Sequence, residues 1–99
     1  MNDVTWTFPY SPNQATITTI GVMNGDHFVD FVSHDEDDGG WQFLCQVAGP
    51  LKMDDALLVS LEEAVSTVSS LLSLADLPIG WCARRSNASE AWSRAQSDV

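Results

Sequence analysis

The chain has 99 residues, 44% of them hydrophobic, with 14 acidic against 4 basic side chains and a formal net charge of −10. That length makes one domain, and folding buries roughly two-thirds of the surface the unfolded chain exposes, enough for one core without staples. The charge speaks against direct binding to nucleic acid or an anionic membrane, which would oppose the field of the whole molecule, and favours a basic protein partner.

Along the chain, residues 5–12 place Trp6, Phe8 and Tyr10 at period two, interrupted by Pro9 and Pro12. Such a segment reads as an edge strand or extended arm with its aromatics laid on the core. Residues 16–23, rich in threonine and isoleucine, run into Asn24-Gly25, and residues 27–33 follow as a second strand. Asn-Gly between two such runs predicts a hairpin.

Next comes Ser33-His34-Asp35-Glu36-Asp37-Asp38-Gly39-Gly40-Trp41, four consecutive carboxylates between a histidine and a glycine pair. A packed interior makes little use of four adjacent charges, so this loop is expected to stand in water and concentrate a negative field. Trp41, Phe43 and Cys45 then alternate on one strand face, and Gly49-Pro50 breaks the chain. A short apolar run, residues 56–59, follows Asp54-Asp55.

Ser60 stands three residues before Glu63, the spacing of a capping box, with Glu62 also in the favourable first turn of a helix. Leu61, Ala64, Val65, Val68, Leu71, Leu72 and Ala75 recur at helical spacing. The opposite face is serine and threonine, poor helix formers, so this helix must be held by packing its stripe on a sheet. Leu77-Pro78 ends it, and residues 79–85 give a last strand containing Trp81 and Cys82. From Ser86 the chain is a polar tail in which Glu90 and Arg94 could pair on a short helical turn.

The order of elements indicates an α+β fold, an antiparallel sheet with one main helix packed on one face. The single domain divides into an arm (1–15), a sheet-plus-helix core (16–85) and a tail (86–99).

Little in the sequence carries chemistry. Asp35, Asp37 and Gly40 fit a calcium loop at three positions, but Gly39 and Gln46 stand where ligands are needed, so a metal-free loop is expected. His27, His34, Cys45 and Cys82 lack the close spacing of a structural zinc site. Cys45 and His34 have neither a nucleophile elbow nor a glycine-rich phosphate loop beside them. No cofactor and no catalysis are expected. Trp41 and Trp81 alternate with apolar residues and read as core, though tryptophan is also enriched at interface hot spots. Trp6 and Trp92 stay open between these readings. Cys45 and Cys82 fall inside apolar, strand-like segments, which suits free buried thiols in a reducing compartment; a disulfide would need their strands in register. No apolar run approaches the roughly 20 residues needed to span a bilayer, and the first residues do not read as a secretory leader. A cytoplasmic protein is expected.

The segment Val32-Ser33-His34-Asp35-Glu36-Asp37-Asp38-Gly39-Gly40-Trp41-Gln42-Phe43-Leu44 resembles the SHDEDDGxWQFL stretch of a group of small bacterial proteins. Val59-Ser60-Leu61-Glu62-Glu63 and Leu74-Ala75-Asp76-Leu77-Pro78-Ile79-Gly80-Trp81 resemble that group's downstream blocks, so the likeness spans residues 16–85. More loosely, the pattern is similar to a bacterial domain of unknown function classed among immunity proteins of polymorphic toxin systems. This chain departs from the group in its apolar Cys45-Gln46-Val47-Ala48-Gly49 and in Arg85, near a position where the group often has tryptophan.

The resemblance implies a non-enzymatic binding protein that neutralises a basic toxin or effector. Asp35, Glu36, Asp37 and Asp38 would meet the partner's cations, framed by His34 and Trp41. The alternatives are an acidic mimic of nucleic acid that inhibits a nuclease or defence protein, and a small metal-dependent hydrolase. The partner's identity and the oligomeric state are not legible.

Overall fold

A computed structural model describes residues 8, 10–50 and 52–97. Six strands form one sheet: β1 (Ala15–Thr19), β2 (Phe31–His34), β3 (Trp41–Leu44), β4 (Ala56–Ser60), β5 (Trp81–Arg84) and β6 (Ser93–Gln96), in the order β4-β1-β3-β2-β5-β6. Two short helices accompany it, α1 (Ile20–Met23) and α2 (Leu61–Thr67), with 3-10 turns at Gln46–Ala48 and Ser69–Leu74. The α+β class holds in this coarse form, but the sheet is mixed rather than antiparallel, because β1 runs parallel to β3.

That parallel pair also displaces the expected hairpin at Asn24-Gly25. β1 stops at Thr19, whose hydroxyl accepts from the Val22 amide and caps α1. The one-turn helix and residues 24–30 carry the chain across the end of the sheet, so β3 sits between β1 and β2. Gly21 fits there for lack of a side chain: a Cβ at that position would lie 2.2 Å from the His27 ring.

The helix after Ser60 is capped as its sequence indicates. Ser60 Oγ accepts from the Glu63 amide at 3.0 Å, and Glu63 Oε1 accepts from the Ser60 amide at 3.1 Å. It does not, however, run on to Ala75. Val68 leaves the helical region (φ −126°, ψ 85°), and the chain resumes as a 3-10 turn. Serine and threonine at 66, 67, 69, 70 and 73 offer the backbone competing hydrogen bonds. Ser73 Oγ, for one, donates to the Ser70 carbonyl at 2.9 Å. The break changes which residues face inward: Leu71, Leu74 and Leu77 are buried at the three-residue period of a 3-10 turn, while Leu72 is only half-buried.

The core lies on one side of the sheet. It holds Val32, Trp41, Phe43, Cys45 and Ala83 from the sheet and its continuation, Leu61, Ala64 and Val65 from α2, and Phe8 from the N-terminal segment. Trp81 and Trp92 pack at its margin, and Trp6 lies outside the described residues. Both cysteines are free and buried; Cys82 faces away from the core, in register with Ser33 and Ala95. The segment after Ser86 is not a loose tail. It returns as β6, antiparallel to β5, and Arg94 pairs with Asp76 rather than Glu90.

Candidate functional site

The four acids occupy the turn of the β2–β3 hairpin, whose register is Phe31↔Leu44, Val32↔Phe43, Ser33↔Gln42 and His34↔Trp41. The turn closes on itself. The Asp35 amide donates to the Gly40 carbonyl at 2.7 Å, and the Gly39 amide donates to the Asp35 carbonyl at 2.9 Å. Gly39 takes φ +72°, a conformation that side-chain-bearing residues adopt at a cost.

The carboxylates differ in role. Asp35 is half-buried and its two oxygens accept from Ser33 Oγ and, at 2.8 Å, from Gln42 Nε2. Asp38 is exposed and accepts from the Gly40 amide at 2.8 Å. Glu36 and Asp37 are exposed and take no side-chain hydrogen bond among the described residues. Neighbouring segments fasten the turn: Gln14 Nε2 donates to the Gly39 carbonyl at 3.3 Å, and the Gly80 amide donates to the His34 carbonyl at 2.7 Å.

Among the described residues no cation forms an ion pair with this group, though Arg84 lines the groove it borders. Arg94 forms the one ion pair among the described residues, 2.8 Å from Asp76. That hydrogen bond and charge hold the Asp76 carboxyl below the usual carboxylate range. Arg85 is buried, donating to the carbonyls of Val29 and Ala88 with its guanidinium 4.1 Å above the Trp92 ring. Burial lowers its pKa and the charge of Asp30 raises it. Arg84 lies over the Phe31 ring at 4.6 Å and reaches Cys82 Sγ at 3.4 Å. Lys52 is at the other end of the sheet, beside a hollow of about 540 Å³ bordered by Ile20, His27, Leu44 and Asp55.

His34 and Trp41, expected to frame the acidic patch, lie beneath it. Each is 1% exposed, and their rings stack at 3.9 Å and 13° on the core side of the hairpin. The period-two alternation of a strand is the reason: Ser33 and Gln42 take the open face, so their neighbours His34 and Trp41 must take the other. His34 Nδ1 donates to the Leu77 carbonyl at 2.7 Å. His34 Nε2 and the Trp41 indole nitrogen are buried without a hydrogen-bond partner among the described residues. The pair packs beneath the hairpin, shielded from solvent.

The supports that sequence reading passed over are Ser33, Gln42 and Asp30. Opposed alternation of residues 33–34 and 41–42 around a six-residue turn was the signal for the first two. Asp30 is one of 14 acids in the sequence, yet it is buried and its carboxylate accepts from the amides of Gln46, at 2.6 Å, and Val47, at 3.1 Å. It thereby caps the turn that follows β3.

On the open side of the sheet the acidic turn borders a groove of about 660 Å³, floored by Phe31, Ser33, Gln42, Cys82 and Ala95. Among the described residues, no three His, Cys, Asp or Glu side chains converge in a way that could hold a metal ion. His27 is exposed, His34 and Cys45 are in the core, and Cys82 faces the groove. No described helix is long and apolar enough to cross a membrane. No protein-family model, curated protein or solved structure matches the chain.

Proposed function

We propose that this protein is a non-enzymatic acidic binding protein of the toxin-immunity type, engaging a basic protein through the β2–β3 turn. The observation that carries this reading is the mounting of the acids. Glu36, Asp37 and Asp38 are exposed on a turn fastened by Gln14 and, at its base, by the Gly80 amide on the His34 carbonyl, and each arginine has its own partners: Asp76, the Val29 carbonyl or Cys82. An anionic projection with no ion-pair partner among the described residues suits a pocket that normally receives an anionic substrate. Such charge contributes steering and specificity more than net affinity. The bordering groove offers Phe31 and Ala95 to apolar parts of the same partner. Concentration of the acids in one turn does not suit a mimic of nucleic acid, whose charges repeat along a surface.

The test has two steps. Cross-linking in the native cell with wild-type protein and with the triple variant E36Q/D37N/D38N identifies proteins captured only by the former. Association of the purified partner is then followed by stopped flow at several salt concentrations. A basic partner, a slower association with the variant and a flatter salt dependence are expected. An association rate that the variant leaves unchanged removes the turn from the mechanism.

A further inference from the structure

We infer a second protein-binding surface, the edge of β4 left unpaired among the described residues, which is built to accept an extended strand with basic flanks. The sheet ends at β4 on one side and at β6 on the other. Sheet edges in soluble proteins are blunted by charge, proline or a bulge. β6 follows that rule, its Arg94 tied to Asp76 and to the Ser73 carbonyl. β4 does not. Its sequence Ala56-Leu57-Leu58-Val59-Ser60 has no charge and no proline, and it pairs with β1 over five residues without a bulge.

The ladder identifies the free groups. The Leu61 amide donates to the Gln14 carbonyl and the Ile20 amide donates to the Asp55 carbonyl, so with the β1–β4 register the residues that bond inward are 55, 57, 59 and 61. Residues 56, 58 and 60 point outward. The Ala56 amide is taken by the Lys52 carbonyl and the Ser60 amide by Glu63, both within the chain. Leu58 therefore presents both its N–H and its C=O away from β1, unpaired among the described residues, and the residue is 73% exposed.

Charge selects the occupant. Exposed acids stand at both ends of the strand, Asp54 and Asp55 before it and Glu62 and Glu63 after it. A second copy pairing antiparallel about Leu58 would set Asp54 of one copy opposite Glu62 of the other, twice over by symmetry. A strand with lysine or arginine at both ends meets the opposite sign at each. The β4 edge is separated from the β2–β3 hairpin by β1, so this inference does not depend on the role proposed for the acidic turn.

The probe is the synthetic nonapeptide Lys-Lys-Thr-Val-Thr-Val-Thr-Lys-Lys, acetylated and amidated, added to the full chain labelled with nitrogen-15. At saturation the Leu58 amide is expected to exchange with solvent about tenfold more slowly, with shift changes centred on β4. N-methylation of the central threonine removes the hydrogen bond to the Leu58 carbonyl and is expected to weaken binding about three- to tenfold without any change to the protein. A version with glutamate in place of lysine is expected not to bind. Equal binding of the N-methylated peptide overturns the inference, as does protection confined to the amides of residues 35–39. A dimer in sedimentation velocity with Leu58 already protected in the absence of peptide gives the edge to a second copy and overturns it too.

Discussion

His34 and Trp41 face one another across the base of the acidic hairpin, stacked 3.9 Å apart, and the Leu77 carbonyl holds the imidazole from the other side. Phe8, edge-on to Trp41 at 5.3 Å, and Tyr10, edge-on to His34 at 5.3 Å, close the cluster from the N-terminal segment. Four chain segments thus converge under the turn that carries the charge, which couples the position of the acids to the core.

Trp41→Ala is expected to cost roughly 3–5 kcal/mol, the range for deleting a large buried aromatic. Trp41→Phe keeps a stacked ring and also removes a buried indole N–H that has no partner among the described residues. It is expected to cost only about 1–2 kcal/mol. Urea unfolding of both variants checks the ordering, which fails if the two are equally destabilised.

Ser60→Ala is expected to destabilise by about 1 kcal/mol, because it removes one side of the reciprocal cap. The loss is felt by two elements. Ser60 is the last residue of β4 as well as the cap of α2, and α2, at seven residues, has little stability of its own. The urea midpoint reports the loss. Glu63→Gln, which retains the acceptor oxygen, is expected to lie within about 0.5 kcal/mol of wild type.

Local chemistry was readable and long-range pairing was not. Ser60 and Glu63 announced their cap, and the alternation of Trp41, Phe43 and Cys45 announced a buried face, because each depends on residues within one turn or strand. The neighbour of β1 could not be read in the same way. Asn24-Gly25 is a turn, but the strand it was expected to close pairs elsewhere, with β3 interposed. Placing the site residues required only the pleat: from the open-side position of Ser33 follows the buried position of His34. Arg85 stands in the sequence as the end of the last strand, with nothing local to mark it as buried. Its burial depends on the Val29 carbonyl and Trp92, 56 and 7 residues away.

Arg85→Lys is therefore expected to be poorly tolerated. Lysine offers a single nitrogen in place of the Nε and Nη1 that serve the Val29 and Ala88 carbonyls, and it loses the flat stack on Trp92. A buried carbonyl left without its donor costs about 1–3 kcal/mol. Thermal unfolding followed by tryptophan fluorescence checks both the loss and the changed environment of Trp92.

Asp76 should titrate below the usual carboxylate range while Arg94 is present, and return to it in Arg94→Ala. A carboxyl depressed in the folded state contributes stability above its unfolded pKa and loses it as the pH falls through the folded value. The stability difference between wild type and Asp76→Asn is accordingly expected to shrink on acidification through that window. The carboxyl carbon shift followed by NMR gives the titration, and urea midpoints across the acid range give the linkage. A shift unchanged by Arg94→Ala would assign the depression to something other than this pair.

The acids of the hairpin should separate by role when neutralised one group at a time. Asp35 accepts from the Ser33 hydroxyl and the Gln42 amide; in Asp35→Asn the amide oxygen keeps Gln42 and the NH2 group turns the Ser33 hydroxyl from donor to acceptor, so both bonds lose the carboxylate's charge. A loss of about 1–2 kcal/mol in the urea unfolding free energy is expected from the lost charge assistance. The triple variant E36Q/D37N/D38N keeps the acceptor oxygen that Asp38 offers to the Gly40 amide and relieves repulsion among adjacent charges. Its stability is expected to equal or exceed that of wild type, with the greater gain at low ionic strength, where like charges repel most strongly. A triple variant less stable than Asp35→Asn would mean that the exposed carboxylates hold the turn together. The free charge of the projection would then be smaller than its sequence suggests.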